Sequence, residues 1–227
     1  SVKYAQRDAE AFASFLLGEK GLVRDKANLK LLVGKDATRL NVLSAIEDLL
    51  VKGAQNPEDM AIFYFAGHGF VEGERMMFAC HDTVAKRKKP TSLTDSDLQA
   101  IWSEVKADRR VLIADACHAA GMKSSGGGLN ARLKQVADAS TVKFLAAAED
   151  QRSIPSDEFQ HGVFTYALLN GLQGAADQEN GDRNGIVTDK ELASFLERQV
   201  PVLARKLDHV QVPFCSTNPR GALELTR

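Results

Sequence analysis

Cysteine is scarce in this 227-residue sequence, neither sign of charge dominates it, and no stretch stays apolar for long. Each shortage removes a class of function. Three cysteines, Cys80, Cys117 and Cys215, cannot build a complete disulfide framework. A reducing compartment is therefore expected, where a free thiol persists. Lysine and arginine number 29 against 30 aspartates and glutamates, a net charge of -1. Without a basic excess, neither nucleic acid nor an anionic membrane is expected as a partner. A membrane-spanning helix needs roughly 20 apolar residues, and no run approaches that. No secretory leader is visible either, so a cytoplasmic location is expected. What remains is a sequence with 44% hydrophobic and 26% charged residues, enough for one large domain with a substantial core.

The periodicity alternates between helix and strand. Ala5, Ala9, Phe12, Ala13 and Leu16 recur at helical spacing, and Leu29–Val33 reads as a short strand. Thr38 opens a helix with Leu40, Leu43, Ile46, Leu49 and Leu50 on one face. Met60–Ala66 is continuously apolar, as for a strand covered on both faces of a sheet, and Met76–Ala79 reads as a further strand before a basic loop, Lys86–Pro90. Thr94 is an N-cap candidate for a helix to Val105, with Asp97 in its first turn. Val111–Ala114 and Val142–Ala148 read as strands, Val163–Leu172 and Lys190–Leu207 as helices, and Ala222–Leu225 as a last strand. There is no internal repeat. Strands alternating with helices imply an α/β sheet layered by helices, with ligands outside the carboxyl ends of the strands.

Two of the buried strands end in reactive side chains. IFYFAGHG (Ile62–Gly69) delivers His68, and DACHAAG (Asp115–Gly121) delivers Cys117, about 50 residues on. A thiol attacks a carbonyl only as thiolate; an imidazole beside it can take its proton and return one to the leaving amine. Gly67 and Gly69 let backbone approach a substrate, and the amides of Gly69 and Cys117 suit an oxyanion. Taken singly, His68 reads as well as a packed strand end and Cys117 as a small core residue. The pair, at two strand ends with flanking glycines, points to cysteine-dependent cleavage of peptide bonds.

At these two blocks the sequence resembles the caspase-like cysteine peptidases, the clan of caspases, metacaspases and paracaspases, and within it the bacterial orthocaspases and metacaspase-like proteins. The likeness continues through YAQRDAEAF near the start, FACHD (Phe78–Asp82), FLAAAEDQ (Phe144–Gln151) and HGVFTYALLNGL (His161–Leu172). Asp115 stands where animal caspases have glutamine, a spelling shared with metacaspases and paracaspases. The resemblance implies a mostly parallel central sheet flanked by helices on both faces, in one peptidase domain over residues 1–227. It also implies a first strand ahead of the helix that starts near Val2, for which the sequence has no residues. It implies Cys117 as nucleophile, His68 as base and acid, and an acidic specificity pocket at Asp8, Asp115 and Glu149 that seats arginine or lysine. The physics agrees: a buried carboxylate cluster is costly until a cation joins it, and a guanidinium supplies paired donors. Asp8 also suits a helix N-terminus, and Glu149 a solvated loop. A rival expectation is a catalytically inert scaffold of the same fold that binds partners.

Asn180–Glu191 fits the spacing of a calcium loop, with Asn180, Asp182, Asn184, Ile186, Thr188 and Glu191 at the ligating positions and Gly185 at the turn. The chemistry itself requires no cofactor; Ca²⁺ is the one ion the sequence suggests, held weakly because the first ligand is neutral. A cap and turn that bind nothing have the same spelling. His81 and His118 have no second ligand pair at zinc spacing. His161 reads as a cap or surface residue and Cys215 as packing. Expected partners are protein or peptide substrates with arginine or lysine before the scissile bond, together with regulatory domains or partner chains. The basic stretches Lys86–Lys89 and Lys123–Lys134 are where self-cleavage is expected.

Overall fold

The computed structural model describes residues 2–72, 75–118, 134, 140–146 and 153–227, with the backbone alone for Glu72, Cys117, His118 and Asn180. The apolar runs of the sequence become its central strands. β1 (Met60–Glu72) lies parallel to β4 (Arg109–His118), and β4 parallel to β5 (Val142–Leu145). Antiparallel strands complete both sides. β2 (Arg75–Ala79) and β3 (Ser92–Thr94) extend the sheet beyond β1, and β8 (Phe214–Ser216) beyond β5, giving the order β3-β2-β1-β4-β5-β8. A separate hairpin joins β6 (Pro155–Ser156) to β7 (His161–Gly162).

Helices cover both faces, the layered α/β/α arrangement that was expected. On one side α1 (Ala5–Leu17), α5 (Val163–Asn170) and α7 (Asp189–Lys206) bury Phe12, Leu16, Phe164, Leu168, Leu192 and Leu196 against Val111, Ile113, Val142 and Phe144. On the other, α2 (Arg39–Ile46) and α4 (Asp95–Glu104) set Ile46, Leu98 and Trp102 against Leu112, Ala114 and Leu145. Each fully buried Leu or Phe contributes about 1.5–3 kcal/mol. Odd residues of β4 face the first cluster and even ones the second, the period of two that a strand imposes. α3 (Lys88–Thr91) and α6 (Ala176–Asn180) are short connections. Among the described residues, no helix is long and apolar enough to cross a membrane.

Helix ends follow the residues that cap them. Thr94 accepts the Asp97 amide while the Asp97 carboxylate accepts the Thr94 amide, and Thr188 with Glu191 does the same at α7. Arg39 ties α2 to this corner through the Ser92 carbonyl and the Asp97 carboxylate, both at close range (2.9 and 2.8 Å).

Five elements differ from expectation. β1 does not stop at Ala66 but runs on to Glu72 and turns into β2. β3 and β8 were not foreseen, because three-residue edge strands leave almost no period to read. Ala222–Leu225 is not a strand: Glu224 makes a single bridge to Thr188, and the Leu225 amide donates to the Val187 carbonyl. Leu29–Val33 is extended at both ends but joins no sheet. With β1 it lines a cleft of about 1330 Å³. On that side β2 pairs only with Gly69–Glu72, so the edge over Met60–His68 has no strand partner among the described residues.

Candidate active site

On β1, Met60, Ile62 and Tyr64 reach the α1 side of the sheet, and Phe63 and Phe65 the other. Ala66 and His68 follow on the α1 side by the same alternation. On β4, Asp115 follows Val111 and Ile113 to that side. The parallel ladder pairs Ala66 with Asp115, then His68 with Cys117, and ends at Gly69 with His118. The His68–Cys117 rung therefore stands about 6.6 Å beyond the Asp115 rung, and its two backbones about 4.8 Å apart. Both residues lie within their strands rather than after them; what they share is the carboxyl end of the parallel ladder. Gly69 is paired on both sides, with His118 and with Phe78 of β2. Gly67 leaves room for the Phe65 ring, whose Cζ would lie 2.8 Å from a Cβ there.

The His68 side chain is exposed, and what desolvation the strand end imposes lowers its pKa below the ordinary imidazole value. At neutral pH it is uncharged and able to accept a proton.

Asp8, in the first turn of α1, and Asp115 are both buried, at 3% and 5% exposure. They meet across Gly162. A Cβ on that glycine would lie 2.6 Å from Asp115 Oδ2 and 3.2 Å from Asp8 Oδ2, so no side chain fits between them. Among the described residues, Asp115 is held by neutral donors: the Thr165 hydroxyl at 2.6 Å and Thr165 amide at 3.3 Å on Oδ2, and the Ser153 hydroxyl on Oδ1. Because Thr165 donates to Asp115, it accepts from the Tyr64 hydroxyl at 2.8 Å. Asp8 takes the Gly162 amide at 3.1 Å and contacts His161 Nδ1 at 2.6 Å.

Neither carboxylate meets a lysine or arginine among the described residues. Arg7, next to Asp8, is turned to the Gln160 side chain. Burial and then the charge of Asp115 push Asp8 up to about 8, and burial raises Asp115 against its three donors. Burial, with the same two charges, also raises the Tyr64 phenol well above its usual value. The cavity between the acids, lined by Lys3, Asp8, Ala66, Gly67, Asp115 and Gly162 among others, is only about 10 Å³. That is room for about one water molecule, so an entering side chain has to widen it.

Of the sequence-derived candidates, His68 and Cys117 share a rung and Asp8 and Asp115 share a glycine. Glu149 and the Lys123–Arg132 stretch lie outside the described residues, as does the side chain of Asn180. Ser153, Thr165 and Tyr64 were not foreseen in the site. His161, expected as a cap or surface residue, instead sits against Asp8.

The Asn180–Glu191 loop is a different locality. Asp182, Asn184 and Glu191 turn oxygens to the loop's own amides: Asp182 to Asn184, Asn184 to Ile186, Glu191 to Asp182 and Thr188. The acid missed by the spacing is Asp177, buried one turn before the loop, which accepts the amides of Asn184 and Gly185. Asp177, Asp182 and Glu191 each bring a carboxylate oxygen within 4.8 Å of the others, a hard-oxygen set of the kind Ca²⁺ takes. Cys80 and Cys215 are free thiols, both pushed up by burial, Cys80 to about 11. Neither suits a nucleophile.

No curated protein matches the chain. A family profile described as "Caspase domain", of peptidase family C14, matches residues 2–218. With that match over nearly its whole length, and a mostly parallel sheet between two helix layers beneath it, the chain belongs to the caspase-domain family of cysteine peptidases.

Proposed function

We propose that this protein is an endopeptidase that cleaves after arginine or lysine. The observation that carries the reading is the pair of buried carboxylates meeting across Gly162, with Asp115 two rungs of the ladder before His68 and Cys117. A substrate cation between Asp8 and Asp115 removes the cost of burying two like charges. Its carbonyl then lies at the His68–Cys117 rung. His68 takes the Cys117 proton, and the sulfur bonds to the carbonyl carbon while the amides of Gly69 and Cys117 receive the oxyanion. Collapse breaks the C–N bond, and His68 gives its proton to the leaving amine. Water activated by the same imidazole then splits the thioester. Glu149 completes the pocket in this reading. Asp115 two residues before the nucleophile favours the metacaspase and orthocaspase branch. Fluorogenic peptides differing only in Arg, Lys or Asp before the scissile bond test it, and a preference for Asp overturns the pocket. An inert scaffold predicts no labelling by an arginyl ketone at all.

The pocket makes stability depend on pH. Unfolded, Asp8 ionises near 3.8; folded, near 8. Between these values the folded state binds the extra proton, so stability falls as pH rises and levels off above about 8. The thermal midpoint is expected to drop by several degrees from about pH 5 to pH 8, and Asp8→Asn to flatten the drop. A profile unchanged by Asp8→Asn disproves the assignment.

We further propose that Ca²⁺ binds weakly at Asp177, Asp182 and Glu191 without entering the chemistry. Millimolar calcium is expected to raise the thermal midpoint, and Asp177→Asn to abolish the rise. No shift in the unaltered protein removes the ion from the account.

A further inference from the structure

His161 makes one of the longest-range polar contacts in the molecule. It opens β7, and its Nδ1 lies 2.6 Å from Asp8 Oδ1, a residue 153 positions earlier. The contact is one of several by which the segment around β6 and β7 grips the start of α1. Asp157 takes Lys3 and the Tyr4 hydroxyl, Gln160 takes Arg7, and His161 meets Asp8. Gln160 holds φ at 53°, in the left-handed region, a conformation that persists only when its surroundings impose it. The same segment supplies Gly162 between the two acids and Ser153 to Asp115. It therefore builds the pocket's wall and supplies donors to both carboxylates.

Geometry restricts what His161 can do. The Gly162 amide is shared by both Asp8 oxygens, at 3.1 Å from Oδ2 and 3.3 Å from Oδ1; Oδ2 borders the gap to Asp115, and Oδ1 is turned toward the imidazole. Among the described residues, the groups facing this pair are Arg7 beside Asp8 on α1, Asp115 on β4 and Tyr64 on β1. Of these, the one permanent cation, Arg7, is occupied by Gln160. Asp8, pushed up to about 8, and the imidazole both change charge near neutral pH. Burial and Arg7 both favour its neutral form, whose Nδ1–H can donate to Asp8 Oδ1 once that acid ionises for a ligand.

We propose that His161 is a specificity-determining positioning residue: as a neutral donor it aims Asp8 at an entering arginine or lysine, and once protonated it replaces the substrate as the counter-charge of Asp8. This rests on the pocket being the seat of a basic side chain. Acid then weakens binding of basic substrates through two linked protons, one on Asp8 and one on His161.

The test compares the unaltered protein with His161→Asn, whose amide can stand in for Nδ1–H but takes no charge, and with His161→Leu. At about pH 7.5, His161→Leu is expected to raise KM for an arginine peptide about tenfold with kcat within about twofold, the loss of one charge-assisted hydrogen bond. His161→Asn is expected to restore KM and to lose the steeper rise of KM on acidification. Agmatine binding to the unaltered protein, followed by calorimetry in buffers of different ionisation enthalpy, is expected to release protons near pH 6. Should all three proteins share one KM and one pH profile while cutting only after Arg or Lys, the role of His161 is overturned and the pocket stands. Agmatine binding without proton release overturns it equally. An unaltered protein that cuts neither Arg nor Lys peptides removes the pocket, and this inference with it.

Discussion

Cys117→Ala is expected to abolish peptide hydrolysis, lowering kcat by about 10⁴-fold or more, with the thermal midpoint little changed. No other thiol can take over. Cys80 is held near 11 by burial, Cys215 is raised further, and neither lies on the rung shared with His68. His68→Ala is expected to fall to a similar level, because a thiol without its base is mostly protonated at neutral pH. The double variant should be no worse than either single one, the signature of two groups acting as a unit. Progress curves with an arginine peptide and thiol alkylation rates measure both effects. The same variant settles self-processing, since fragments arising at Lys86–Lys89 or Lys123–Lys134 should vanish with the sulfur. An active Cys117→Ala protein overturns the nucleophile assignment outright.

Asp115→Asn is expected to lower kcat/KM for arginine peptides by about 10²–10³-fold, the result of breaking a buried charge pair at a cost of about 3–5 kcal/mol. The free protein should respond in the opposite sense. Asn fills the same volume. Its carbonyl can stand where Oδ2 accepts both Thr165 donors, and its amide can face the Ser153 hydroxyl, which rotates to accept. One buried charge is gone, and Asp8 loses the like charge that helps hold it up. The variant is therefore expected to be at least as heat-stable as the parent near pH 8, while nearly inactive on basic substrates. Calorimetry and peptide kinetics on one preparation read both. Joint loss of stability and activity would mean that Asp115 serves the core rather than the substrate.

The parts of this molecule that sequence reveals are those whose cause is local. Met60–Ala66 and Val111–Ala114 are legible because a strand covered on both faces has no polar alternation to obscure it. The Thr94–Asp97 and Thr188–Glu191 boxes are legible because donor and acceptor lie three residues apart. Leu29–Val33 shows the limit: an apolar run lining a cleft is spelled like a strand in a sheet. Phe214–Ser216 is too short to show a period. Asp8 and Asp115 are visible as motif residues, but nothing in either motif says that Gly162 stands between them. His161 is harder still, since its neighbours in sequence describe only a helix start and its partner lies on α1. Asp177 escaped because it precedes its loop by a helical turn, outside the window that ligand spacing defines.

The neutral grip on Asp115 also bears on how such a site can change over evolutionary time. Ser153, Thr165 and, through Thr165, Tyr64 are contributed by separate parts of the chain, and all are arranged around one acid. An apolar residue at position 115 would leave two hydroxyls and an amide facing a dry wall, each lost bond costing about 1–3 kcal/mol. Drift toward uncharged or acidic substrates must therefore pass through several coordinated replacements. With the pocket seating a basic side chain as proposed, a lineage carrying this set of hydroxyls is held to cationic substrates more firmly than the acid by itself would require.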